Sequence, residues 1–186
     1  MSVRRDEGRH NINSGRHHVK RPLLTVLFAL LCTPALALAQ SMLNAFQTVE
    51  IQADARKVWD IVSQWDNLHG WHPVFANTEL TGGTNNTVGA TRRLTVKDGP
   101  QFDEELLAAD ASRMSVSYRI IGENPLPITD YKSTLDVVEL GANRSLIVWR
   151  GAFASKPGQK DDDNLKFIST VYRAGLDNVK KMAEVR

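Results

Sequence analysis

The last two dozen residues constrain this chain more than any other stretch. From Asp161 to about Val185 the apolar residues Leu165, Ile168, Val171, Tyr172, Leu176, Val179 and Met182 recur at i, i+3 and i+4. That spacing predicts one long helix with a single apolar face. Asp161-Asp162-Asp163 caps its start, and Lys180-Lys181 lies near its end, where both suit the helix dipole. Such a face needs a sheet to cover.

The preceding residues supply one. Phe46–Ile51 alternates apolar and polar, as a half-buried strand does. Asp54 is an N-cap for a helix from Ala55 to Trp65, with Val58, Trp59, Ile61, Val62 and Trp65 at helical spacing. A second short helix with an irregular end is expected over Asp66–Phe75. A strand begins at Thr78–Leu80, and Gly82 to Asn86 is a loop. Strands are then predicted at Ala90–Val96, Phe102–Ala108, Met114–Ile121, Tyr131–Leu140 and Leu146–Phe153. The fold class is α+β: a curved antiparallel sheet of six to seven strands wrapped on a long C-terminal helix, with two short helices after the first strand.

Charge separates the chain into two parts. Residues 1–39 carry six Arg/Lys against two acids, which leaves 17 basic and 19 acidic residues beyond them. A domain of that balance lacks the clustered cations that nucleic acid requires, so nucleic acid is excluded as a partner. Lys20-Arg21, the apolar run Leu23–Leu31, Pro34 and then Ala37-Leu38-Ala39 follow the order of a secretory signal peptide. The run is too short to span a bilayer. Residues 1–39 are therefore expected to be a leader cleaved after Ala39, residues 40–186 one domain, and the location periplasmic or secreted. The only cysteine, Cys32, would leave with the leader.

The residues Val58-Trp59 through Trp65, Trp71-His72-Pro73, Val88-Gly89-Ala90-x-Arg92 and Glu104-x-Leu106-Leu107 carry a family resemblance. So do Pro125-Leu126-Pro127-x-x-Asp130-Tyr131, Trp149-x-x-x-Phe153 and Tyr172-x-x-Gly175-Leu176. The chain from about Phe46 to Met182 resembles the helix-grip superfamily of START-related and birch-pollen-allergen-like proteins (SRPBCC). Within it, the chain is similar to the polyketide cyclase/dehydrase-type and MxaD-type subgroups. The resemblance implies an internal apolar cavity. It extends to the plant abscisic-acid receptors, whose two gating loops correspond to Val96–Pro100, with Asp98, Gly99 and Pro100, and to Glu123–Pro127, with Pro125, Leu126 and Pro127. The receptors' gate and latch motifs are not reproduced. Their ligand-binding lysine corresponds to His72.

Strand alternation assigns the cavity's walls. Arg92 with Leu94, Glu104 with Phe102 and Leu106, Tyr118 with Val116, Tyr131 with Leu135, and Trp149 with Phe153 share the inner faces. Arg92 and Glu104 are then one cation and one anion among apolar walls, either a buried structural pair or a polar anchor for a ligand. Tyr118 and Tyr131 either donate into the cavity or are satisfied core tyrosines. His72, among Trp71, Pro73 and Phe75 near an expected entrance, is a ligand donor, a general acid/base or a packed helix-end histidine. His69 and His72 lie at i, i+3 with no third ligand in view, so no metal and no cofactor is expected.

Three functions follow. The first is an exported binder or carrier of a small hydrophobic or amphipathic ligand, lined by His72, Arg92, Glu104, Tyr118, Tyr131, Trp149, Phe75 and Phe153. The second, implied by the MxaD resemblance, is an accessory protein docking on a periplasmic dehydrogenase, with a redox protein as partner. The third is a cofactor-free cyclase, dehydratase or lyase-like enzyme using acid/base side chains in the cavity.

Overall fold

The computed structural model describes residues 41–185; the expected leader and its cleavage site lie outside them. Seven strands, β1 (Leu43–Ile51), β2 (Phe75–Gly82), β3 (Thr91–Val96), β4 (Gln101–Asp110), β5 (Ser115–Ile121), β6 (Ile128–Gly141) and β7 (Arg144–Ser155), form one sheet. Its order is β1-β7-β6-β5-β4-β3-β2, and every pairing is antiparallel. Between β1 and β2 come helix α1 (Ala55–Val62) and a 3₁₀ helix (Trp65–Gly70). The long helix α2 (Asp161–Glu184) closes the chain. This is the helix-grip α+β architecture.

Helix α2 buries Ile168, Tyr172, Leu176 and Val179 on one face, as the spacing requires. It also closes the sheet's edge at β1. Arg173 Nη2 donates to the Thr48 carbonyl at 2.9 Å, and Lys180 Nζ donates to the Glu50 carbonyl at 2.8 Å. An edge strand left with unpaired carbonyls would invite another strand. The inner sets on β3 to β7 are those the alternation predicts: Arg92, Leu94, Phe102, Glu104, Leu106, Val116, Tyr118, Tyr131, Leu135, Ile147, Trp149 and Phe153 are all buried.

Five local expectations are corrected. Helix α1 ends at Val62, and Trp65 instead opens the 3₁₀ helix. Phe75 belongs to β2, which starts three residues before the expected strand. Phe46 is 60 % exposed, on the face of β1 opposite to buried Ala45 and Ile51. Met182 is 39 % exposed, and Ala183 takes the inward position. Lys160, not the aspartate run, is the N-cap residue of α2; the three aspartates fill its first turn, where the helix dipole still favours them.

Candidate functional site

Arg92 on β3 stands directly opposite Glu104 on β4. Arg92 donates from Nε at 2.9 Å and from Nη2 at 2.6 Å, and both bonds fall on Glu104 Oε2. Its Nη1 donates to the Trp65 carbonyl at 2.8 Å. The guanidinium lies 3.6 Å over the Trp65 ring, with Tyr118 on another side at 5.4 Å. The cation thus ties the 3₁₀ helix to the sheet. Both partners are only 4 % exposed, so each needs the other to remain charged. Burial pushes the Glu104 carboxyl above its ordinary value, against the opposing pull of the Arg92 charge and hydrogen bonds. Two guanidinium bonds falling on one carboxylate oxygen are the geometry of an ion pair.

Next to it runs a chain of hydroxyls with a defined direction. Ser133 Oγ has one proton, and it goes to the Arg150 carbonyl at 2.9 Å, which can only accept. Tyr172, 2.9 Å from Ser133 Oγ, must then donate to it. Tyr131, 2.7 Å from the Tyr172 hydroxyl, must donate in turn to that oxygen. Trp149 Nε1 donates to Ser133 Oγ and to the Tyr118 hydroxyl, each at 3.0 Å. Burial raises all three tyrosines: Tyr118 to about 12, Tyr131 well above its ordinary value, and Tyr172 likewise. They are neutral hydrogen-bonding groups across the physiological range.

The Tyr172 ring stacks on Trp149, with centroids 4.4 Å apart and planes at 6°. Its hydroxyl reaches Ser133 only because Gly151 leaves room. A Cβ there would lie 2.1 Å from the hydroxyl oxygen, and the stacked ring has nowhere to retreat. Gly151→Ala is therefore expected to cost about 1–3 kcal/mol by overpacking. Tyr172→Phe in the same chain should recover part of it, because the clashing oxygen is gone. Urea unfolding of the two single variants and the double variant reads this; strictly additive losses would refute the contact.

His72 is completely buried, not placed at an entrance. Its Nδ1 accepts from the Val74 amide at 3.3 Å. That assigns the ring proton to Nε2, which donates to the Val171 carbonyl at 3.1 Å. The ring packs edge-on against Phe75 and Trp149. Burial drives its pKa down to about 4, with the Arg92 charge adding to the effect and the Val171 hydrogen bond opposing it. Helix α2 can lie this close because residue 175 is glycine: a Cβ would meet His72 Cδ2 at 2.6 Å. His69 is exposed, so the two histidines occupy different environments.

An apolar pocket of about 180 Å³ opens between α2 and the two inter-strand connections. Val96 and Pro100 line one side from the β3–β4 connection, and Leu126 lines another from the β5–β6 connection. Ile168, Val171 and Tyr172 form its wall on α2; Phe102, Glu104, Ile120 and Tyr131 form its wall on the sheet. Both connections are braced. Lys97 donates its amide to the Val74 carbonyl at 2.9 Å, and Asp98 adopts a positive φ of 53° ahead of Gly99. Asn124 closes the other turn, accepting from the Leu126 amide at 3.0 Å and donating to the Ile128 carbonyl at 2.7 Å. The Pro127 carbonyl accepts from Asn164 of α2 at 3.2 Å, and Pro125 lies in the same turn.

Of the residues the sequence singles out, Glu104, Tyr131, Pro100 and Leu126 meet at this pocket. Arg92, Tyr118 and Trp149 line a separate inner void of about 20 Å³, room for roughly one water. His72, Phe75 and Phe153 are buried in the packing around both. The α2 wall is missing from the residues singled out, although Ile168, Val171 and Tyr172 belong to the helical face recognised in the sequence. That this face covers the sheet is legible in the sequence; which of its residues border the pocket depends on where the two inter-strand connections meet the helix.

A family model described as polyketide cyclase / dehydrase and lipid transport matches residues 42–184. Abscisic acid receptor PYL6 of Arabidopsis thaliana is 24 % identical over 143 residues, covering 73 % of this chain and 66 % of the receptor. MLP-like protein 423 of the same plant is 28 % identical over 126 residues, covering 63 % of this chain and 79 % of that protein. Among solved structures, the protein XoxI from Bacillus cereus superposes with a TM-score of 0.69 at 26 % identity, over 75 % of this chain and 94 % of that one. The Zhui aromatase/cyclase from Streptomyces sp. R1128 shares the fold, with a TM-score of 0.64 at 20 % identity over 77 % and 94 % of the two chains. With a match that runs from β1 to the end of α2, the chain belongs to the polyketide cyclase/dehydrase and lipid transport family.

Proposed function

We propose that the protein is an exported binder or carrier of a small hydrophobic or amphipathic molecule, held between α2 and the two inter-strand connections. The observation that carries this is the pocket of about 180 Å³, apolar on most sides, with Glu104 and Tyr131 in its sheet wall. The leader pattern of residues 1–39 supports export. Acid/base catalysis ranks below binding. Glu104 is tied to Arg92, and both ring nitrogens of His72 are engaged by backbone groups. An accessory role on a periplasmic dehydrogenase is the second reading. Exposed Phe46 supports it, beside Leu107 at a shallow depression of about 450 Å³ on the outer face of the sheet.

Native mass spectrometry of the protein recovered from a periplasmic fraction tests both readings. The expected species begins at Gln40 and carries a reproducible small adduct, which Leu126→Trp removes without unfolding the chain. An empty protein that co-elutes with a dehydrogenase overturns binding in favour of the surface role. A chain that retains residues 1–39 overturns cleavage after Ala39.

A further inference from the structure

Of the three polar side chains lining the pocket, none has a proton to spare for a ligand. Glu104 receives both Arg92 bonds on Oε2, and among the described residues no hydrogen bond reaches Oε1. As an ionised carboxylate it can only accept. The Tyr131 hydroxyl spends its proton on Tyr172, because Tyr172 spends its own on Ser133 and Ser133 on the Arg150 carbonyl. Only the lone pairs of the Tyr131 oxygen remain for a ligand. Tyr172, the third polar side chain at the pocket, is used both as donor and as acceptor. No cation among the described residues lines the pocket, and Arg92 lies behind Glu104 at the inner void.

We infer that this pocket selects a neutral or cationic molecule about one ring in size that brings its own hydrogen-bond donor, a hydroxyl or an amine, and that it turns away carboxylates. The inference rests on the binding reading above and adds the ligand's chemistry. The size follows from volume: an apolar cavity of about 150 Å³ accommodates benzene, and this one is about 180 Å³. Selection follows from desolvation. A ligand hydroxyl regains on Glu104 and Tyr131 the hydrogen bond it gives up in water, whereas a hydrocarbon leaves those acceptors unmet. A carboxylate loses its hydration and meets only acceptors, with no donor facing it.

The test is titration of the purified protein at neutral pH with 4-ethylphenol, ethylbenzene and 4-ethylbenzoate, followed by calorimetry and by backbone amide NMR shifts at Val74, Val96 and Val171. The phenol is expected to bind at least tenfold tighter than either partner compound, with shifts at those amides. Tyr131→Phe, which keeps the ring and leaves Tyr172 donating to Ser133, should narrow the preference over ethylbenzene severalfold. Equal binding of phenol and hydrocarbon, or an unchanged preference in Tyr131→Phe, overturns the donor requirement and leaves the pocket reading intact. Benzoate binding as tightly as phenol does the same. If none of the three binds, the pocket reading falls and this inference with it.

Discussion

Arg92→Ala is expected to lower unfolding free energy by about 3–5 kcal/mol, the range for stripping one partner from a buried ion pair. Domains of this size are stable by about 5–15 kcal/mol, so the variant should be near the edge of folding. Three losses combine. Glu104 becomes an uncompensated charge at 4 % exposure. The Trp65 carbonyl loses its donor at 2.8 Å, and the Trp65 ring loses the guanidinium stacked at 3.6 Å. Arg92→Lys should restore only part, because an ammonium cannot give two bonds to one carboxylate oxygen while also reaching Trp65. Arg92→Met with Glu104→Leu should lose far less than Arg92→Ala alone, because apolar side chains of similar volume need no charge compensation. Urea denaturation of Arg92→Met, Glu104→Leu and the double variant provides the cycle. Additive losses would show that the two charges do not depend on each other.

That pair also shows what periodicity can and cannot reveal. Alternation put Arg92 and Glu104 on the inner face of neighbouring strands, and the short Asp98-Gly99-Pro100 connection made them close in register, so their meeting was legible. Their division of labour was not. That Oε2 serves Arg92 while Oε1 receives no bond among the described residues depends on side-chain geometry that no spacing encodes. The end of α1 was hidden for a related reason. Trp65 follows Ile61 and Val62 at helical spacing, yet the chain turns extended at Gln64. The new start is held from a distance: Asn86 accepts from the Trp65 amide at 2.8 Å, and Asn85 from the Asp66 amide at 3.2 Å. A cap supplied by another loop leaves no local trace. Phe46 fits a strand by composition but is out of phase with Val49 and Ile51, a signal that was present in the alternation itself. The burial of His72 required knowing that Gly175 lets α2 descend onto it, a contact between residues about a hundred positions apart.

The second large effect is set by that histidine and appears in acid. Its pKa is near 4 in the folded chain against 6.5 when unfolded. Between those values the unfolded chain holds a proton that the native state does not, so stability is complete above 6.5 and falls as pH drops towards 4. The slope approaches about 1.4 kcal/mol per pH unit and the full loss about 3 kcal/mol. Glu104 contributes with the opposite sign, because its raised carboxyl favours the native state as pH falls, so the raw profile mixes the two. Subtracting the profile of His72→Gln, which does not titrate, isolates the histidine. Denaturant midpoints taken from pH 4.5 to 7 should show the wild-type slope exceeding the variant's; parallel profiles would mean that the imidazole is not held neutral. The same window should govern binding. A second ring proton would set Nδ1–H against the Val74 amide, turning an acceptor into a donor facing a donor. Val74 and Val171, the two residues whose backbones His72 holds, both line the pocket. Acid should therefore weaken ligand binding before the domain unfolds, and 4-ethylphenol affinity measured across this range in wild type and His72→Gln would separate loss of the wall from loss of the fold.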